Sequence, residues 1–443
     1  MSQRVLVVGA WHLGSVVGAC LADAGNQVYL WDQNKSVEEK WSQGLAPIHE
    51  PGLSDLVNKH WKKDLSWTST PEIVASKANW VIIAYDTPIN EQDEVQLQTV
   101  EEGAQRAFKS LSDKTNVFVT AQVPVGTCRK FRQEILRLHP GWHGHMMYQP
   151  ENLRLGEAIK SFKTPDRMVL GLDDMSQQET LAKDFQKLLG NETTPLNVMS
   201  LESAEMVKHA LNSFLATCVV FANEISEICE KSGADAWDVV SSLKQDSRVG
   251  PKAFLRPGLG FAGGTLARDV KTLSKFAKKK EDINFFNDLY AINDKRNQWV
   301  VDTLKAQLGT LTHKTIVLMG VTYKPFTSTV RRSPALQIAE LLAKEGAHCR
   351  AIDPMADLTE LSPEERKNLP FELMKDPLAA FENTQAAVLV TEWPQFFELD
   401  WPQIHRLMSE HVLIDTKNHL APKNILKGFH IIIPGKPTKK ELL

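Results

Sequence analysis

The chain has 443 residues, which at roughly 150 per domain predicts two or three domains, each with its own core. Apolar residues make up 42% and charged residues 24%, values that exclude a disordered, collagen-like or coiled-coil chain. Lys plus Arg is 51 against 54 for Asp plus Glu, a formal net charge of -3, so no bulk field draws in nucleic acid or an anionic membrane. No apolar run approaches the roughly 18 to 20 residues of a membrane helix, and Met1 to Val8 enters a strand-like run without a separate signal segment. A soluble, cytoplasmic protein is expected. The five cysteines (Cys20, Cys128, Cys218, Cys229, Cys349) are scattered, with no CxxC or Cys/His metal spacing, and are expected to be reduced core residues; no metal site is expected.

Short apolar runs alternate with helical patterns from the start: Arg4 to Gly9, Gln27 to Asp32, Asn79 to Ala84 and Asn116 to Ala121. Strands buried on both faces have this texture, which predicts a parallel βαβ sheet, and the alternation continues through Met146 to Gln149 and Arg167 to Gly171. From Ser200 the apolar residues Ala204, Val207, Leu211, Leu215, Cys218, Ala222 and Ile225 recur at helical spacing, predicting one long linking helix. A Gly- and Pro-rich stretch (Gly250 to Gly264) and more helix follow. Strand signals return at Thr315 to Gly320, Ala347 to Ile352, Ala386 to Val390 and Val412 to Asp415. The expected layout is an α/β dinucleotide-binding domain over 1–199, a helical connector and dimerisation region over 200–300, and a second α/β domain over 301–443. The fold class is two Rossmann-like, doubly wound parallel-sheet domains joined by a long central helix.

The first strand runs into Gly9-Ala-Trp-His-Leu-Gly14 and then a helical pattern, and Asp32 closes the second strand. In that context a G-x-G-x-x-G turn seats a pyrophosphate at the helix N-terminus, and the acid accepts hydrogen bonds from the adenosine ribose, favouring NAD over NADP. Trp11 stands at the middle glycine, the one that lets backbone approach the pyrophosphate, so weak or shifted NAD binding is expected. His12 beside it is expected to cap the helix or face solvent.

The chain resembles the UDP-glucose/GDP-mannose dehydrogenase family over almost its whole length. Pro47-Ile-His-Glu-Pro-Gly-Leu53 is similar to the family's P-I-x-E-P-G-L, Val123-Pro-Val-Gly-Thr127 to V-P-V-G-T, and Gln149-Pro-Glu-Asn-Leu-Arg-Leu-Gly156 to N-P-E-F-L-R-E-G. Ser203 to Asn212, Asp246 to Gly250, Phe254-Leu255, Gly260 to Asp269, Tyr323-Lys-Pro325, Arg331, Ser333-Pro334 and Thr391-Glu-Trp393 follow in the family's order. The resemblance implies NAD as cofactor, a nucleotide-sugar substrate and a homodimer built on the long helix. Family enzymes oxidise the C6 alcohol of the sugar to a carboxylate by two hydride transfers, the second through a cysteine thiolate and a thioester.

Residue by residue, the resemblance implies that Glu151 assists water, that Lys208 and Asn212 steady oxyanion charge, and that Asp269 follows the catalytic cysteine. At that cysteine's own position this chain has Thr265. Gly9, Trp11, Gly14, Asp32, Thr87 and Gln122 fall at cofactor positions, Gln122 replacing a threonine that holds the hydrolytic water. Arg248, reaching across a dimer, with Phe254, Leu255, Gly258, Gly260, Lys324 and Arg331, falls at substrate positions. Asn152 and Leu155 replace a phenylalanine and a glutamate of the family pattern, and Ser328, Thr329 and Arg332 replace acids. Two functions are compatible with these residues: an oxidoreductase limited to two-electron chemistry or altered in substrate, and a catalytically inactive nucleotide-sugar binder acting as sensor or scaffold.

Overall fold

A computed structural model of the chain describes residues 2–87, 90, 95–150, 153, 156–277 and 284–437. They form two compact units, Met1–Leu211 and Asn212–Leu443. The first holds eight strands: β1 (Arg4–Val8), β2 (Gln27–Trp31), β3 (Leu65–Trp67), β4 (Trp80–Ile83), β5 (Asn116–Val119), β6 (Met146–Tyr148), β7 (Met168–Leu172) and β8 (Leu196–Ser200). They make one sheet in the order β3-β2-β1-β4-β5-β6-β7-β8. All neighbours are parallel except β6 and β7.

The apolar runs have a physical cause. Val5 and Val7 of β1 join one buried cluster while Leu6 and Val8 join another on the opposite face, so every residue of the run is covered. The order places the carboxyl ends of β1 and β4 side by side where the winding reverses, the usual place for a ligand in such sheets.

The second unit carries six parallel strands: β9 (Thr315–Met319), β10 (His348–Ile352), β11 (Glu372–Leu373), β12 (Ala386–Leu389), β13 (Val412–Asp415) and β14 (His430–Ile432), in the order β11-β10-β9-β12-β13-β14. Here too alternate residues of the central strand divide between two cores, Ile316 and Leu318 on one face and Val317 and Met319 on the other.

The helix Leu201–Ser232 runs 32 residues and contains the boundary between the units. It is followed in the second unit by the helices Ala236–Gln245, Gly264–Phe276, Phe285–Lys295 and Gln298–Leu308. Among the described residues no helix is long and apolar enough to cross a membrane.

Candidate functional site

The turn between β1 and the helix His12–Asp23 is as tight as its glycines demand. Gly9 sits at φ +93°, and a Cβ there would come 3.0 Å from the backbone of Ala84 at the end of β4. A Cβ on Gly14 would lie 1.7 Å from the Gly9 carbonyl oxygen, so this glycine lets the helix pack onto the turn. Asp32, 7% exposed, accepts from the Ala10 N–H at 2.8 Å and the Asn34 N–H at 2.9 Å. Burial raises its pKa, and those N–H bonds oppose the rise. The indole of Trp41 donates to the Ala10 carbonyl at 2.8 Å and fixes the turn from its other side. Trp11 is 46% exposed and supplies no side-chain cap to the helix.

The N-terminus of that helix is instead met by a carboxylate. Asp86, just beyond β4, accepts from the Leu13 N–H at 2.9 Å. His12 does not face solvent as expected. It is 8% exposed, with Nε2 3.1 Å from Glu50 Oε2 and Nδ1 3.8 Å from Asp86 Oδ1. Burial alone would lower the His12 pKa; the two carboxylates outweigh it and the net direction is up. Glu50, the acid of the Pro47 to Leu53 motif, is 2% exposed and also accepts from the Gly156 and Ala158 N–H groups at 3.0 and 2.8 Å. Thr87 is 8% exposed, and its hydroxyl has no hydrogen-bond partner among the described residues.

The glycines, Asp32 and the unpartnered Thr87 hydroxyl fit a dinucleotide at this turn, with Asp32 able to hold the ribose. At the pyrophosphate end, the helix N-terminus already has an anion of the protein's own.

The Val123 to Thr127 segment is tied to the long helix by two residues that sequence reasoning passed over. Glu205, fully buried, accepts from the Gly126 N–H at 2.6 Å and the Cys128 N–H at 2.8 Å, so it caps the helix Thr127–Leu138. Burial raises the Glu205 pKa against those two bonds. His209 meets the Val123 carbonyl at 3.0 Å. The spacing of Glu205 and His209, one turn apart on a helix, was the available signal. Lys208, between them, is 8% exposed, and Gln122 is 4% exposed. Glu151, Asn152 and Leu155 lie outside the described residues.

In the second unit Asn212 and Asp269 meet. The Asn212 amide donates to Asp269 Oδ2, both side chains are buried, and Arg268 Nε lies 3.8 Å from the other carboxylate oxygen. Thr265 is exposed in the first turn of the helix Gly264–Phe276, one turn before Asp269 on the same face. The Gly263 N–H donates to the Arg332 carbonyl at 3.3 Å, and a Cβ on Gly263 would lie 3.6 Å from the Tyr323 ring, so this helix start packs on the loop after β9.

The loop before it is held by two asparagines. The Gly258 N–H donates to Asn223 Oδ1 at 2.9 Å, and the Phe261 N–H to Asn293 Oδ1 at 2.7 Å. A Cβ on Gly260 would come 2.7 Å from the Asn293 carbonyl oxygen. Leu255 is buried against Ala222 and Val240, whereas Phe254 is 53% exposed. Arg248 is exposed and forks onto Asp246 at 2.7 and 3.0 Å.

The loop after β9 is long and basic. Asp353 binds the Val321 and Thr322 N–H groups at 2.8 and 3.0 Å, and the Trp393 indole at 3.1 Å. Lys324 is exposed, its ammonium 5.5 Å from the Tyr323 ring centroid. Arg331 is 3.6 Å from Glu365, both half-exposed. All five cysteines are buried and unpaired, and burial raises each thiol pKa, Cys20 and Cys349 to about 12. Among the described residues no group of three His, Cys, Asp or Glu could hold a metal ion.

Three family models match in chain order. Residues 3–189 match the UDP-glucose/GDP-mannose dehydrogenase family NAD binding domain, 202–295 its central domain and 317–422 its UDP binding domain. The UDP-glucose 6-dehydrogenase TuaD of Bacillus subtilis is 32% identical over 94% of this chain and 89% of its own length. The UDP-glucose 6-dehydrogenase of Rhizobium meliloti is 31% identical over 98% of this chain and 100% of its own. Among solved structures, a UDP-glucose dehydrogenase from Pyrobaculum islandicum superposes with a TM-score of 0.83 at 26% identity, covering 99% of this chain and 98% of that one. The chain belongs to the UDP-glucose/GDP-mannose dehydrogenase family.

Proposed function

We propose that the chain is a nucleotide-sugar oxidoreductase that takes the C6 alcohol of a UDP-glucose-like sugar to the aldehyde and stops there. The observation that carries this is Thr265, exposed one turn before the buried Asp269–Asn212 pair, at the position where the family's second oxidation needs a thiolate. A threonine hydroxyl has a far higher pKa than a thiol, and the five buried, pKa-raised cysteines offer no substitute.

NAD, when bound, supplies the hydride acceptor. Lys208 and Asn212 steady the alkoxide as the hydroxyl proton passes to solvent water, and Asp269 holds the Asn212 amide in place. Loss of the C6 hydrogen as hydride then gives the aldehyde, a two-electron change. Glu151 would assist water, but Gln122 and Leu155 depart from the family's water site, so a hydrated aldehyde is poorly placed for a second oxidation.

For the substrate, Lys324 and Arg331 supply charge to the phosphates. Gly258 and Gly260 shape the loop that carries Phe254 and Leu255, because the Gly258 N–H and the adjacent Phe261 N–H are engaged by Asn223 and Asn293. Arg248 reaches a partner's sugar in a homodimer. An exposed stripe on the long helix, Phe214, Phe221 and Ile228 at seven-residue intervals and 64%, 45% and 60% exposed, supports that pairing. The five unpaired thiols accord with a cytoplasmic setting.

A second reading, a non-catalytic binder, is favoured by the exposed Trp11 and by Asp86 at the helix N-terminus. One experiment separates the two: NADH absorbance and thermal shift recorded together, with UDP-glucose and other UDP-sugars, with and without NAD. NADH formation with at least one sugar is the expected result. Stabilisation by a UDP-sugar with no NADH from any of them would establish the binder instead.

A further inference from the structure

We propose that Asp86 is a resident anion at the N-terminus of the helix His12–Asp23, a positioning and specificity residue that a dinucleotide pyrophosphate must displace in order to bind. The inference rests on the reading that this turn takes NAD.

The first amides of a helix have no partner within it, and their dipoles favour negative charge. The helix's own N-cap residue, Trp11, offers no side-chain bond, and the Leu13 N–H goes to Asp86 at 2.9 Å. Asp86 is held from a second side by His12, which is locked in turn onto Glu50, itself fixed by the Gly156 and Ala158 N–H groups. The carboxylate thus rests at the helix N-terminus on two contacts.

The charge balance points the same way. Asp32, Glu50 and Asp86 are all found around this turn, and among the described residues the His12 ring lies against two of them, Glu50 and Asp86. A pyrophosphate arriving there meets like charge on the donor it needs. The three carboxylates are not equally free to leave: Glu50 is buried by its own three contacts, whereas the Asp86 side chain is 27% exposed and can turn towards water.

A separate observation marks the position as a ligand's. Thr87, the next residue along, is 8% exposed, and its hydroxyl oxygen is buried with no partner among the described residues. A buried hydroxyl without a partner is costly and calls for an explanation. A ligand oxygen that arrives when Asp86 moves away supplies one.

The test is calorimetric, on the full chain, with Asp86→Asn and Asp86→Ser beside the unmodified protein and with circular dichroism to check folding. The probes are NAD, ADP-ribose, which keeps the pyrophosphate, and adenosine, which lacks it. Both variants should bind NAD and ADP-ribose roughly threefold to thirtyfold more tightly than the unmodified chain, with adenosine unchanged. Equal affinity for ADP-ribose in all three proteins, or a gain shared by adenosine, would overturn the role of Asp86 and leave the cofactor reading standing. If no folded variant binds NAD or ADP-ribose at all, the cofactor reading falls and this inference with it.

Discussion

The two α/β units share one winding and differ where it matters. In both, the first six strands of the unit run in the same order, β7 and β8 extending one edge of the first sheet, and in both an aspartate that follows the second strand binds the backbone just past the first: Asp32 to Ala10, Asp353 to Val321 and Thr322. In the first unit β1 passes into its helix through residues 9–11 alone. In the second, residues 320–333 intervene before the helix Pro334–Lys344, whose first turn is capped by Ser333. The short link brings a helix N-terminus to the sheet's edge, as phosphate binding requires, and the protein covers it with Asp86. The long link retires its helix end and presents Lys324 and Arg331. Topology sets where a ligand can lie, and the link after the first strand sets which ligand.

The sharpest way to break this comparison is to strain the short link. Gly14→Ala sets a Cβ into the Gly9 carbonyl, so thermal and urea unfolding should show a loss of at least about 3 kcal/mol. Ser333→Ala, which removes one cap from the tolerant link, should cost about 1 kcal/mol. If both substitutions cost the same, the two links are not mechanically distinct.

Next in size is the ligand side of the second unit. A charge-assisted contact to phosphate is worth about 1.5 to 3 kcal/mol, so Lys324→Ala should weaken UDP-sugar binding roughly tenfold or more and leave NAD affinity unaltered. Arg331→Ala should lose less, because Arg331 already faces Glu365. Calorimetry with UDP reads both, and an unchanged dissociation constant for Lys324→Ala would remove the basic loop from the account.

A smaller change is expected from Trp11→Gly. The side chain is half-exposed, so stability should hold, while NAD binding tightens by about 1 kcal/mol, roughly fivefold. Affinity equal to the unmodified chain's would mean that the pyrophosphate passes around the indole.

Much of the fold was legible because strands covered on both faces must be apolar throughout. The runs at Val5 to Val8 and Ile316 to Met319 carry that requirement in their residues. β3 and β8 were not legible: Leu65–Trp67 is too short to show a pattern, and Leu196–Ser200 is only half-covered, so polar residues are tolerated along it. The site divides in the same way. Gly9, Gly14, Asp32, Asn212 and Asp269 stand in ordered motifs, but the partners of His12 lie 38 and 74 residues away in sequence, at Glu50 and Asp86. No local pattern announces a pairing of that range. The sequence therefore points to a helix cap or a surface position for His12, although it is buried between two carboxylates.

Whether Thr265 ends the reaction after one hydride can be read from the product. The chain is incubated with NAD and the UDP-sugar that yields NADH, and mass spectrometry identifies the sugar while absorbance counts the NADH. The expected result is an aldehyde, no more than one NADH for each sugar consumed, and slow turnover. Thr265→Cys alone should not restore full activity, since Gln122 and Leu155 also depart from the family's water site. A uronic acid formed by the unmodified protein with two NADH per sugar would contradict it.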